Sequence, residues 1–261
     1  MKQTIKYYLA KTVFHTSPNF RFKNIVFLLG HMRCGSTALT NVFTANNKIN
    51  GYGETHISYN LKYSPALLAI SLIRKGINPF KGELMFDKIL HNNHDSSPDS
   101  SLYNSKAIFM IRHPVSTVIS LSHLAKRAKN LNQSYIDLGV CLDYYISRLK
   151  HLKCMWIRFP ENNRYMLTYE SLLKNTEQQL NALSKKVFNN LEIRNEYSSS
   201  YDHRSKFGSG DPINAHKYNA IKPIKKDPYF ESTKERVWQL KSLVTAERLY
   251  EEFLEQSNKL K

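Results

Sequence analysis

A short glycine-containing loop near the start of the sequence, GHMRCGST, has the composition of a phosphate-binding loop. Gly30, Gly35 and Thr37 are spaced as in the G-x-x-x-x-G-K-[ST] loop that holds nucleotide phosphates. Ser36 takes the lysine position of that pattern, and the only lysine or arginine in the loop is Arg33. The backbone N–H groups of such a loop converge on one anion. The loop therefore predicts a phosphate-type ligand that is held by an arginine.

A second cation follows another apolar run. The run KAIFMI ends just before Arg112, and Ser120 comes about two turns into the helix predicted after it. A kinase or an ATPase would need an acidic residue at such a strand end to hold magnesium, and a lysine in place of Ser36. The two arginines instead predict an anion site without a metal, provided that both lie on the same edge of a sheet.

The elements that must position these residues alternate along the chain. Apolar runs predict buried strands, while amphipathic periodicity, Pro114 and a capping box at Ser232 and Glu235 predict helices. The predicted strands are 24–29, 106–111 and 164–169, and the predicted helices are 36–46, 64–75, one that opens at Pro114, 135–158, 170–188 and 233–255. This pattern predicts a single three-layer α/β domain over residues 1–261, in which helices cover both faces of a parallel sheet.

Taken together, the motifs resemble those of the sulfotransferases that use 3′-phosphoadenosine 5′-phosphosulfate (PAPS). GHMRCGSTAL is similar to the phosphosulfate loop of the carbohydrate, tyrosylprotein and bacterial branches, and IRHPVSTVIS is similar to their 3′-phosphate motif. YESLL is similar to their Y-E-x-L, and GYGETHI resembles the segment of the tyrosylprotein branch that carries a catalytic glutamate. The resemblance spans about residues 24–175, the predicted nucleotide-binding core. It implies a P-loop NTPase-like fold and sulfuryl transfer to an acceptor hydroxyl.

The resemblance also implies roles for single residues. Arg33 would bind the leaving oxygen and the sulfuryl oxygens, and Glu54 would accept the proton of the acceptor hydroxyl, with His56 as the alternative base. Lys88 resembles a lysine that reaches the sulfuryl group, although a solvated helix lysine is an equal alternative. The residues expected to bind PAPS are Arg33, Cys34, Gly35, Ser36, Thr37, Arg112, Ser120 and Lys222.

A long segment near the C-terminus, 197–229, shows little periodicity and is predicted to cover the nucleotide or the substrate. Its I-K-P tripeptide makes Lys222 a phosphate ligand by resemblance. The serine that the tyrosylprotein branch carries just upstream is not recognisable here, and His216 or Lys217 occupies its neighbourhood. Earlier in the chain, Tyr169 is predicted to be a core tyrosine rather than a nucleotide contact.

Composition restricts the partners. The net charge of +17 and the pI of about 9.7 imply an anionic ligand, but the lysines are scattered, which argues against a nucleic-acid site. No apolar run reaches the length of a membrane span. Ile5, Leu9 and Val13 share one face of a short basic helix, which is predicted to pack on the domain rather than lie on a membrane. Peripheral contact with a membrane through the basic surface stays open.

Three irregularly spaced cysteines favour a reducing compartment over a disulfide framework. With no signal-peptide pattern either, the preferred hypothesis is a cytoplasmic enzyme that acts on a glycan, a glycolipid or a related metabolite. Two other hypotheses stay open: a P-loop-type kinase or nucleotide-binding protein, and a non-catalytic basic module that binds polyanions.

Overall fold

The computed structural model describes residues 2–128, 131–198, 218–222 and 228–259. Within these residues, five strands form one sheet in the order β2-β3-β1-β4-β5, and every neighbouring pair is parallel. The strands are β1 (Ile25–Gly30), β2 (Ile49–Asn50), β3 (Leu84–Ile89), β4 (Lys106–Ile111) and β5 (Arg164–Thr168). The α/β fold with a central parallel sheet, predicted from the alternation of elements, is confirmed.

Helices cover both faces of this sheet. The described helices are α1 (Lys2–Thr16), α2 (Ser36–Ala45), α3 (Ser64–Arg74), α4 (Pro114–Arg127), α5 (Leu138–Arg158), α6 (Tyr169–Lys174), α7 (Thr176–Lys186), α8 (Pro228–Trp238) and α9 (Leu243–Asn258). Alternate residues of β1 point to opposite faces: Ile25 and Phe27 join the core beneath α1, α3, α5 and α9, whereas Val26 and Leu28 join the core beneath α2 and α7. None of the described helices has the length and apolarity needed to cross a membrane.

The strand β3 is absent from the sequence prediction. Its run LMFDKI contains Asp87 and Lys88, which interrupt the apolar pattern, yet the whole strand is buried between β2 and β1. The alternative in which Lys88 is a solvated helix residue is therefore wrong, because only 3% of Lys88 is exposed.

Three predicted helix boundaries also differ. The helix predicted at 170–188 is divided into α6 and α7, and the one predicted at 233–255 is divided into α8 and α9. Ser232 lies inside α8, so the predicted capping box does not start a helix. The helix predicted from residue 135 begins at Leu138, because the Asp137 side chain accepts a hydrogen bond from the Val140 N–H and caps it.

Helix α1 packs through a different face from the predicted one. Ala10 and Phe14 are buried, and α1 contacts α3. Ile5 is 61% exposed and Leu9 is 50% exposed, so the expectation that these two residues form the packing face is wrong.

Candidate active site

The glycine loop connects the end of β1 to the start of α2. A side chain at Gly30 would place its Cβ 2.8 Å from the Met110 carbonyl oxygen, and one at Gly35 would come within 2.6 Å of the Tyr169 ring. Gly35 also has a backbone φ of 95°, which residues other than glycine rarely adopt. The absence of side chains at both positions lets the chain turn tightly, and this turn brings the first residues of α2 to the wall of a cavity.

The two arginines of the predicted anion site lie together. Arg33 Nε donates a hydrogen bond to Ser120 Oγ at 2.9 Å, and Arg112 Nη1 donates to the Arg33 carbonyl oxygen at 3.2 Å. The Arg112 guanidinium lies 4.1 Å from the centre of the Tyr169 ring, in a cation–π contact. Arg112 Nε is buried and has no hydrogen-bond partner among the described residues. A buried donor without a partner is costly, which makes this atom a candidate contact for an anionic ligand.

A buried histidine joins the two motifs. His31 Nε2 lies 3.0 Å from the Arg112 backbone N–H, and its Nδ1 lies 2.9 Å from the Met32 carbonyl oxygen. Because a backbone N–H can only donate, Nε2 accepts, so Nδ1 carries the proton and donates to Met32. Burial lowers the pKa of His31 to about 3, although its hydrogen bonds to backbone groups act to raise that pKa. The ring is therefore neutral near pH 7. His31 therefore fixes Arg112 relative to the glycine loop.

An ion pair lies on the other side of the glycine loop. Lys88 Nζ is 3.2 Å from Glu54 Oε1, and the Lys88 side chain is almost fully buried. Burial by itself would raise the pKa of Glu54, but the charge and hydrogen bond of Lys88, followed by the charges of His91 and His56, outweigh it. The pKa of Glu54 is therefore lowered, and its side chain is a carboxylate at neutral pH.

The neighbouring carboxyl group, Asp87, holds the segment that carries Glu54. Asp87 Oδ1 accepts from the Thr55 N–H at 3.1 Å and from the Lys88 N–H at 2.9 Å. Its Oδ2 accepts from Thr55 Oγ1 at 2.6 Å and from the Tyr59 hydroxyl at 2.5 Å. Burial raises the pKa of Asp87 to about 7, although these hydrogen bonds oppose the shift.

His56, the alternative base, lies on an irregular segment. Its φ is 55°, so the extended conformation that would align it with Glu54 along a strand is absent. Both residues nevertheless line the same cavity. The His56 ring lies 5.4 Å from the His94 ring, centre to centre, on the exposed side of the segment.

A cavity of about 320 Å³ connects these groups. Its wall includes Arg33, Gly35, Ser36, Thr37, Glu54, His56, Lys88, His91, Arg112, Tyr169, Tyr197, Ile221 and Lys222, together with leucines at 90, 124, 131, 172 and 173. The described part of the C-terminal loop reaches this wall because Tyr197 N–H donates to the Asn219 carbonyl oxygen and Asn195 forms hydrogen bonds with both backbone groups of Ile221. Most of the predicted covering loop at 197–229, including His216 and Lys217, lies outside the described residues.

Two of the predicted donor-binding residues lie away from the cavity wall. The Cys34 thiol is buried beneath the loop, and its backbone N–H donates to the His31 carbonyl oxygen at 3.3 Å. Ser120 reaches the cavity only through its hydrogen bond with Arg33. Tyr169, predicted as a core residue, lines the cavity and is half-buried.

A buried arginine that sequence reasoning missed supports the edge of the sheet. Arg148 Nε donates to the Gly30 carbonyl oxygen at 2.8 Å, and its Nη2 donates to the Ile89 carbonyl oxygen at 2.9 Å. Asp95 accepts two further hydrogen bonds from the guanidinium, at 2.8 and 2.9 Å. Arg148 thus holds the ends of β1 and β3 side by side. Its position among the apolar residues on the inner face of α5 is the signal that could have revealed it.

The fold and the site define a class of protein: an α/β protein in which two neighbouring arginines and an ion-paired carboxylate line one cavity. The profile of the Sulfotransferase family matches residues 102–187, which contain Arg112 and Ser120. Over this segment, about a third of its length, the chain is similar to the sulfotransferase family. No curated protein sequence matches it.

Solved structures share the fold. The sulfotransferase domain of the Synechococcus PCC 7002 olefin synthase is 16% identical, with a TM-score of 0.59, and the match covers 88% of this chain and 94% of that domain. The sulfotransferase domain from the curacin biosynthetic pathway is 18% identical, with a TM-score of 0.55, over 89% of this chain and 98% of that domain. At these identities, the likeness establishes the fold.

Proposed function

We propose that the protein transfers the sulfuryl group of PAPS to a hydroxyl of a glycan, a glycolipid or a related metabolite in the cytoplasm. The observation that carries this proposal is that Arg33 and Arg112 share one cavity with the Glu54–Lys88 pair. One ligand can therefore meet cations at two points while its reactive group lies beside a carboxylate. The three cysteines have free thiols, in keeping with a reducing compartment.

The donor has two anionic groups, and the site offers cations and N–H donors for both. The first residues of α2, with the hydroxyls of Ser36 and Thr37, would bind the 5′-phosphosulfate. Arg112, through its unpartnered Nε, would bind the 3′-phosphate together with Ser120, and Lys222 would add a cation at the rim. Arg33 lies between these two positions, since its guanidinium already contacts Ser120.

The reaction then needs one proton acceptor and stabilisation of one leaving oxygen. The acceptor hydroxyl would give its proton to the Glu54 carboxylate as its oxygen forms the new bond to sulfur. The bond between sulfur and the phosphate oxygen breaks, and its electron pair leaves with that oxygen. Arg33, Lys88 and the loop N–H groups would stabilise the negative charge that grows there. His56 remains the alternative proton acceptor.

The structure argues against magnesium-dependent phosphoryl transfer. Such an enzyme needs an acidic residue near the phosphate site to hold the metal, and the strand next to β1 carries Asp87. Both of its carboxylate oxygens accept hydrogen bonds from Thr55, and Oδ2 also accepts one from Tyr59. With its oxygens engaged in this way and fully buried, Asp87 is poorly suited to orienting a hydrated Mg²⁺.

Transfer of labelled sulfate from PAPS tests the proposal. The acceptors would be a panel of glycans, glycolipids and small phenols, with a chelator present throughout. Arg33→Ala and Glu54→Gln should each lower the rate of transfer by about a hundredfold or more, whereas Lys185→Ala, an exposed lysine on α7, should leave it unchanged. Product nucleotide, 3′-phosphoadenosine 5′-phosphate (PAP), should raise the melting temperature without magnesium. Stabilisation by magnesium-ATP alone, or an undiminished rate of transfer in both active-site variants, would refute the assignment.

A further inference from the structure

Helix α1 has two apolar faces, and the protein covers only one of them. Ala10 and Phe14 are buried against the domain. Ile5, Tyr8 and Leu9 are 61%, 70% and 50% exposed. Positions spaced by three and four residues adjoin on a helix, so these three side chains form one continuous strip, here called the α1 outer face. Exposed apolar residues that adjoin in this way are typical of an interaction site.

Lysines border the α1 outer face on both sides. At about 100° per residue, Lys6 lies one quarter-turn from Ile5, and Lys11 lies beyond Tyr8 on the opposite border. An exposed apolar strip with cations along its edges can contact a membrane interface, with the apolar side chains below the headgroups and the cations at the lipid phosphates.

The N-terminal part of the chain, which includes α1 and its neighbour α3, has few acidic residues. Residues 1–82 include eleven lysines and arginines and a single acidic residue, Glu54. Glu54 is already paired with the buried Lys88. The pKa of Lys6 is lowered, first by partial burial and then by the positive charge of Arg74 at the end of α3. Cations of α1 and α3 therefore lie close enough to repel each other, and an external anionic surface would relieve that repulsion.

We propose that the α1 outer face docks on an anionic lipid bilayer. Ile5 and Leu9 would enter the boundary between headgroups and acyl chains, with Tyr8 at headgroup level, while Lys6 and Lys11 contact lipid phosphates. A nucleic acid would satisfy the lysines but would offer no apolar environment for the two aliphatic side chains. The inference rests on α1 and its charge alone and holds whichever acceptor the enzyme sulfates.

Flotation of the full-length protein with vesicles tests this docking. Vesicles of phosphatidylcholine with phosphatidylserine should bind the protein, and vesicles of phosphatidylcholine alone should bind it weakly. The double variant Ile5→Ser/Leu9→Ser should lower the partition coefficient by roughly tenfold or more, since each aliphatic side chain loses its burial. Lys11→Glu should also weaken binding, most strongly at low salt, because added salt screens the attraction between this lysine and the anionic lipids. The matched control is Ile157→Ser, because Ile157 is 67% exposed on α5, outside this face.

The variants change only exposed side chains, so they should have the same melting temperature as the natural protein and be stabilised by PAP to the same extent. These two measurements check that the fold and the donor site are intact. Failure of the natural protein to bind anionic vesicles would overturn the proposal. Equal vesicle binding by the double variant and the natural protein would also overturn it, because the contact would then lie elsewhere. Binding to heparin or DNA that depends on Ile5 and Leu9, without vesicle binding, would replace the membrane with a polyanion.

Discussion

The two ends of the cavity present different kinds of chemical groups: mainly backbone groups at one end and side chains at the other. At the proposed donor end, the glycine loop and the start of α2 present backbone groups, and Arg112 lies close by with an unpartnered Nε. At the proposed acceptor end, the groups are side chains. Glu54 pairs with Lys88, and Asp87 accepts hydrogen bonds from Thr55, the residue that follows Glu54. A backbone anion site depends on local turn geometry, whereas a side-chain site depends on contacts between distant parts of the chain.

This difference predicts separable effects on function. Changes at the donor end should weaken nucleotide binding, because those groups would contact the donor both before and during the proposed reaction. Changes at the acceptor end should slow the chemical step and leave the affinity for the nucleotide almost unaltered.

The largest expected effect is on the rate. Glu54→Gln keeps the size of the side chain but removes its capacity to accept a proton, so kcat should fall by about 10²–10⁴-fold. The affinity for PAP, measured by calorimetry, should stay the same. Glu83→Gln is the matched control, since Glu83 forms an exposed ion pair with Lys48. Equal rates for Glu54→Gln and the natural enzyme would mean that Glu54 is not the base, and His56 would then be the proposed base.

Arg112→Ala should lower the affinity for the nucleotide more than it lowers kcat. Loss of a charged hydrogen-bond donor to a phosphate should weaken PAP binding by about ten- to a hundredfold. Arg194→Ala, in an exposed pair with Glu192, serves as the control. If Arg112→Ala lowered kcat without changing PAP affinity, the donor would have to lie elsewhere in the cavity.

The contrast also explains what the sequence could reveal. Gly30, Gly35 and Arg33 are neighbours in the chain, and a strand, a tight turn and a helix leave a local pattern that can be recognised. Arg112 could be placed on the same edge because parallel strands end together. These parts of the fold and of the site could therefore be predicted from the residues alone.

The acceptor end leaves no such local pattern. Asp87 and Lys88 disrupt the apolar run of β3, and their burial makes sense only once Thr55, Tyr59 and Glu54 are brought to them from another segment. His31 is similar, because its partner Arg112 lies 81 positions away in the chain. Buried polar residues are stabilised by distant partners, which sequence periodicity does not encode.

Asp87 offers a sharper test of the acceptor end. We expect Asp87→Asn to loosen the segment that carries Glu54 and to lower kcat by roughly tenfold, with the KM for PAPS unchanged. Tyr59→Phe, which removes one of the four hydrogen bonds, should have a smaller effect. Because the pKa of Asp87 is about 7, this carboxylate becomes protonated as the pH falls through neutrality, and the natural enzyme should then lose activity. The activity of the Asn variant should not fall in this pH range, because its side chain does not titrate. Asp143→Asn, an exposed change on α5, is the control.

The last prediction concerns the stability of the donor end rather than its activity. His31 is neutral in the folded protein down to about pH 3, whereas an unfolded histidine binds a proton below about pH 6.5. Between these values the unfolded state holds more protons, so the free energy of unfolding falls as the pH falls, by up to about 1.4 kcal/mol per pH unit. His31→Gln removes this contribution, so urea unfolding across the same window should show a flatter dependence on pH. His15→Gln, on the exposed surface of α1, should keep the natural slope. An unchanged slope in His31→Gln would mean that His31 is protonated in the fold, and the hydrogen bond from the Arg112 N–H to its ring could not exist.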